Sequence, residues 1–211
     1  MGQFRNKFGN AVAAMWQSIN VARIYQPAVS NPNTEKQVQV RARFSALVKL
    51  AKSFRSALIV GLRKFARSKV STIYGTFTQL NWEAVGASSP DDVTVNYSEL
   101  VITEGSAVNA TYATPEWGEG THLKVSVGFT YPQIEGVTSM ADELYMVLYA
   151  PDLGESILSH AVMASGDAIE VTVPSNWNGL QAHMWCFTIS RYPTTDGSAS
   201  RSVYLGHNEI Q

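Results

Sequence analysis

The sequence has a single cysteine, no long apolar run, and a first third that is almost without acid. One cysteine, Cys186, excludes an intrachain disulfide framework. It stands in the apolar run 182–190 and reads as a small buried hydrophobe. No run of about 18 apolar residues occurs, so no membrane-spanning helix is expected. Arg5 and Lys7 precede only a short apolar stretch near residues 11–16, with no small-residue cleavage site, so no export signal is read. The sixth residue is Asn6, not the Ser or Thr that myristoylation prefers.

Motifs that carry chemistry are also missing. There is no P-loop, no dinucleotide-binding glycine fingerprint and no nucleophile elbow. His122, His160, His183 and His207 are scattered without metal-ligand spacing. Asp91-Asp92, Asp142-Glu143 and Asp152 with Glu155 lack the spacing and glycine of a calcium loop. His183 and Cys186, three residues apart in a strand, point to opposite faces and cannot form a dyad there. The expectation is a protein with no catalytic residues, no metal and no cofactor. A hydrophobic fraction of 45% nonetheless demands a packed core.

What the sequence does have is a charge split. Residues 1–70 hold thirteen of the sixteen Lys and Arg against one acid, Glu35, for a net charge of +12. Residues 71–211 hold Lys124, Arg191 and Arg201 against sixteen acids, for a net charge of −13. Such asymmetry points to partners rather than to chemistry.

Residues 1–33 mix aromatic, small and basic types without a clean period, and read as an arm that orders against something else. Thr34-Glu35-Lys36-Gln37 fits a capping box, with Gln37 reaching back and Glu35 suited to the positive helix end. Phe44, Leu47, Ala51, Phe54, Leu58, Leu62 and Phe65 then recur at helical spacing. This predicts a basic amphipathic helix over 34–70, roughly 50 Å long, which Gly61 bends or divides. Its phenylalanines read as packing residues on the apolar stripe. Its other face carries Arg41, Arg43, Lys49, Lys52, Arg55, Arg63, Lys64, Arg67 and Lys69. Like charges so arranged repel unless an external anion offsets them. With Trp16 and Arg23 of the arm, these are the candidate partner-binding residues.

Residues 71–92 read as a linker. Beyond them the apolar period drops to two. Strands are expected at 94–102, 107–112, 123–129, 143–149, 156–163, 168–173, 182–190 and 200–205, separated by Gly-, Asp- and Asn-rich turns. The fold class is therefore α+β: arm, long basic helix, and over 93–211 an antiparallel β-sandwich of immunoglobulin or fibronectin-III type.

The segment Asn31-Pro32-Asn33-Thr34-Glu35-Lys36-Gln37 through Arg41 to Phe44 resembles the Asn-Pro-x-Thr-x-x-Gln-x-x-x-Arg-x-x-Phe pattern of an uncharacterised family of Bacteroidota proteins, a domain of unknown function. Trp16 and Arg23 fall where that family has an aromatic followed by Arg. Tyr149-Ala150-Pro151 and Ser202-Val203-Tyr204-Leu205-Gly206 resemble its later motifs. The glycine-rich start typical of the family is reduced here to Gly2 and Gly9. The resemblance implies the same architecture and brings no catalytic residues.

The expected function is a structural assembly protein: a phage-like virion component such as a decoration, collar, tail or fibre-attachment subunit, assembled in the host cytoplasm. Its expected partners are other particle proteins and copies of itself. A nucleic-acid-binding adaptor is the second reading, and a bacterial surface adhesin or filament subunit the third.

Overall fold

A computed structural model describes residues 6–16, 19–25, 33–117, 124–165 and 167–210. The chain divides into two compact units, Met1–Gln37 and Val38–Gln211.

The first unit, read from sequence as an irregular arm, is a sheet of three antiparallel strands: β1 (Asn6–Phe8), β2 (Ala11–Trp16) and β3 (Ile19–Ile24), in that order. Gly9 and Asn10 join β1 to β2, and Gly9 has φ +56°. A two-residue hairpin whose strands keep their twist needs positive φ at this position, which glycine adopts without steric cost. β2 and β3 pair in regular register along six residues, from Ala11 opposite Ile24 to Trp16 opposite Ile19. Their Val, Ile and Trp content suits a pleated strand. No described side chain of this unit is buried.

The second unit is mixed α/β, with helices first and antiparallel sheets after. The predicted long helix is three consecutive helices, α1 (Glu35–Ser53), α2 (Arg55–Gly61) and α3 (Arg63–Ser68). The breaks at Phe54 and Leu62 are shallow: Phe54 N–H still reaches Leu50 O, and Leu62 N–H reaches Leu58 O, both at 2.9 Å. Gln37 Oε1 has no hydrogen-bond partner among the described residues, so it does not reach back as the expected capping box requires. Leu47, Leu50, Ala51, Phe54, Leu58 and Leu62 form the buried stripe. Phe44 does not join it. At 53% exposure it stands outside the core with Val40, one turn earlier, while Ala42 between them is buried. Phe65 lies at the edge of the core, half-buried.

The stretch read as a linker folds too. Ile73–Leu80 forms α4, capped where the Thr72 hydroxyl accepts from Gly75 N–H at 3.0 Å. Val85–Ser89 forms β4, paired with β5 (Asp92–Val95). Phe77 and Val85 are fully buried, so this segment supplies core rather than slack. The strand expected at 94–102 ends at Val95, and a 3₁₀ turn at Tyr97–Glu99 follows.

Two further sheets make the rest. One orders β10 (Glu155–Val162), β9 (Glu143–Ala150), β12 (Gln181–Ile189) and β13 (Val203–Glu209). The other orders β11 (Ala168–Thr172), β8 (Lys124–Thr130) and β6 (Thr111–Tyr112), with β7 (Glu116–Trp117) also on β8. β9 and β12 are covered on both faces, which is why they read as near-continuous apolar runs rather than as alternation. Tyr145, Val147, Tyr149, Trp185 and Phe187 pack on the helices. Leu144, Met146, Leu148, Met184 and Cys186, one residue out of phase, pack on Val125, Val127, Ile169 and Val171 of the second sheet. The order is helices, central sheet, outer sheet.

Two glycine and asparagine positions tie the layers together. A Cβ on Gly61 would lie 2.1 Å from Thr103 Cγ2 and 3.1 Å from Phe187, so only glycine lets α2 approach the sheet this closely. Asn81, fully buried, donates to Phe77 O and Val101 O and accepts from Val101 N–H, which fastens the end of α4 to residue 101.

Candidate functional site

Folding the apolar stripe of α1–α3 inward leaves their cations facing out. Lys49, Lys52, Arg55, Arg63 and Arg67 are exposed, and none is in an ion pair among the described residues. Arg41 is also exposed. These residues span three successive helices with no acid between Lys36 and Val70.

Three of the basic residues singled out from sequence are committed within the chain. Arg43 donates from Nε to Val85 O, approaches Glu83 at 3.3 Å, and lies 4.8 Å over the Trp82 ring. It clamps α1 to the segment leading into β4, and its charge has a partner. Lys64 Nζ donates to Asp196 O at 2.9 Å, tying α3 to the turn after β12. Lys69 lies 5.6 Å over the Phe65 ring. Lys64 and Phe65 border an open cleft of about 410 Å³ that Ser68, Glu104 and Ser106 also line. Glu104 there is paired with Arg201 at 3.2 Å. On the first unit, Arg23 is exposed on β3; the Trp16 side chain lies outside the described residues.

The titratable groups elsewhere hold the fold. Asp142 is fully buried and accepts from Tyr131 Oη at 2.6 Å, Ser139 N–H at 3.0 Å and Arg191 N–H at 2.6 Å. A carboxylate so satisfied fixes three loop segments at once. Tyr131 accordingly has its hydroxyl pKa pushed up, by burial first and by donation to Asp142 second. Burial would raise Glu143, but hydrogen bonds from Arg191 and Tyr145 outweigh it and hold the carboxyl below its ordinary range. Cys186 lies fully buried in the outer core, where burial pushes its thiol pKa up and keeps it un-ionised.

One cluster was not legible from spacing. His183 and His207 are cross-strand partners on β12 and β13. The Tyr204 hydroxyl lies 2.8 Å from His183 Nδ1 and 3.2 Å from His207 Nδ1. Tyr97 stacks on the His183 ring at 4.0 Å. Burial first, and the neighbouring His207 second, lower the His183 pKa to about 4, so its ring is neutral near pH 7. The two histidines stand 24 positions apart in the sequence, and the pairing of β12 with β13 brings them together. No group of three or more His, Cys, Asp or Glu side chains with metal-site geometry occurs among the described residues. His122 lies outside them. Among the described residues no helix is long and apolar enough to cross a membrane. The site with unmet electrostatic demand is therefore the basic face.

A family model described as a family of unknown function, DUF6266, matches residues 3–206, and the chain belongs to that family. No curated protein matches the chain.

Proposed function

We propose that this chain is a non-enzymatic structural assembly protein that docks onto an anionic surface through the outer face of α1–α3. The observation that carries this is the five exposed cations without ion pairs on helices whose apolar stripe is already spent in the core. The contact is therefore made by charge, not by burial of the helix. Like charges one turn apart raise the energy of the free protein slightly, and an anionic partner relieves that cost. The two stacked sheets, β6–β13, support an immunoglobulin- or fibronectin-III-like sandwich as the displayed module. The setting we propose is a phage-like particle, where the gene is expected to stand beside portal, capsid or tail genes.

A nucleic-acid adaptor would use the same cations on phosphates, so the test must separate the two. Binding is measured against polyglutamate and against duplex DNA of matched charge, from about 50 mM to about 1 M salt. Assembly through an acidic protein surface predicts tighter binding to polyglutamate, lost at high salt and weakened at least about tenfold when Lys49, Lys52, Arg55, Arg63 and Arg67 become Ser. Tighter binding to DNA turns the reading to the adaptor. Binding that is absent at low salt, or unchanged in the five-fold variant, overturns both.

A further inference from the structure

We infer that β3 is a self-association edge, pairing antiparallel with β3 of a second copy to join two three-stranded sheets into one of six strands. The inference shares with the proposed function only the premise that copies associate. Its contact lies in the first unit and does not use the helical cations.

Three edges of the two larger sheets, β13, β10 and β11, are managed. β13 carries a register shift opposite Met184 and Trp185, Gly206 at φ +111°, and the polar run His207-Asn208-Glu209. β10 is tied near its start, where Ser156 Oγ donates to Ser53 O of α1, and at its middle, where Ser159 Oγ donates to Glu170 O of β11. β11 presents Glu170 paired with Lys124. Such bulges, charges and covers are how sheets avoid open-ended pairing. β3 has no bulge and, among the described residues, no cover. It is six residues long, regular, free of proline, and carries one charge, Arg23. It is the last strand in its sheet, so its outer row of backbone N–H and C=O groups has no strand partner among the described residues. All six side chains are exposed, with Ile19 at 59%, Val21 at 45% and Ile24 at 79%. Ile19 and Val21 share one face with Arg23, and Ile24 shares the other with Asn20 and Ala22, so each face of the edge carries exposed apolar side chains.

Charge and size point to a second copy as the occupant. Across a two-fold axis normal to the sheet, facing residues share a face, so the central pair is a residue with itself. Centred on Val21, Arg23 faces Ile19 of the other copy; centred on Ala22, it faces Val21. Only the register centred on Arg23 opposes the two charges, and it also leaves Ile19 outside the pairing. The strand is thus compatible with itself in its two best-overlapped registers. A three-stranded sheet of this length presents only roughly 300 Å² per face, well under the about 800 Å² per partner of a stable docking interface. Edge pairing instead recruits about six backbone hydrogen bonds and needs no large complementary surface.

The test uses the full chain and its buried Cys186. Because that thiol is fully buried, a cysteine placed on β3 is the accessible one. Val21→Cys and Ala22→Cys are oxidised mildly, alongside Ser56→Cys on the exposed face of α2 as a collision control. Pairing predicts that one of the two β3 variants yields roughly tenfold more covalent dimer than the control, at low and at about 1 M salt alike. It also predicts the same yield when the five helical cations are replaced. Dimer yield no greater than that of Ser56→Cys at both β3 positions overturns the inference. So does dimer that disappears at high salt, which would assign association to the charged face instead. Ala22→Cys adds a single sulfur to an exposed side chain, so a negative result cannot be charged to misfolding. A failed polyanion assay with intact β3 crosslinking would reject the proposed docking face alone.

Discussion

β3 and β12 are both regular antiparallel strands, and both pair along their length with an apolar neighbour. From Ala182 to Ile189 every residue of β12 is buried; from Ile19 to Ile24 every residue of β3 is exposed. Their hydrogen-bonding patterns are of one kind, so the difference lies in what covers them. β12 has helices on one face and a second sheet on the other. At about 1.5–3 kcal/mol for each large side chain removed from water, those layers make β12 the centre of the fold's stability. β3 gains almost nothing of this within the chain. The two regions show that strand geometry follows from local sequence, whereas strand stability follows from cover, which the described residues of the first unit lack.

The comparison breaks first at its strongest point. Phe54 is fully buried, with ring centroids of Tyr149 at 4.8 Å and Trp185 at 5.6 Å. Phe54→Ala is expected to cost about 3–5 kcal/mol in urea unfolding of the second unit. Ile24→Ala, an equal kind of truncation in β3, is expected to cost under about 0.5 kcal/mol in dilute protein. A large loss at Ile24 under those conditions would mean that the first unit is covered within the chain after all.

Gly61→Ala probes the same layer at smaller scale. The added methyl meets Thr103 Cγ2 at 2.1 Å, and α2 or residue 103 must shift. An overpacked contact of this kind costs about 1–3 kcal/mol. Thr103→Ser removes that methyl while keeping the hydroxyl that donates to Ser200 O at 2.9 Å. In the double variant much of the loss is expected to return, seen as a favourable coupling in a thermal or urea mutant cycle. Additive losses would place the strain elsewhere.

How far these features were legible in the sequence follows the same division. The stripe Leu47-Ala51-Phe54-Leu58-Leu62 gave the helices because burial on one side imprints a 3.6 period. Most strands of the second unit were legible within a few residues because their turns carry Gly, Asp or Asn. Thr94–Ile102 misled because Leu100, Val101 and Ile102 are apolar for packing, not for pairing: Asn81 holds the backbone of Val101. Residues 71–92 misled because α4 is only eight residues long and is built from β-branched and aromatic types, Ile73, Tyr74, Thr76 and Phe77, that carry no strong helix signal. The strands of the first unit were not legible because a sheet with no buried face among its described residues imposes no period of two. At the candidate site, the cations were legible as a set. That Arg43 and Lys64 are taken up internally was not, since Glu83, Val85 and Asp196 reach them only through the fold.

The smallest effect bears on why the cations are there at all. Arg63 opens α3 and stands one turn before Arg67, with no acid beside either in the helix. A positive side chain at a helix start, with a like charge at i+4, opposes both the helix dipole and its neighbour. Arg63→Gln is therefore expected to stabilise the free protein by about 0.2–0.5 kcal/mol at low salt, with the gain fading at about 1 M. The same variant is expected to bind polyglutamate more weakly. Stability rising while binding falls would separate this face from the core-facing residues beneath it, where loss of packing lowers both. If Arg63→Gln instead destabilised the protein at low and high salt alike, the guanidinium would belong to the fold, and the docking face would shrink to its neighbours.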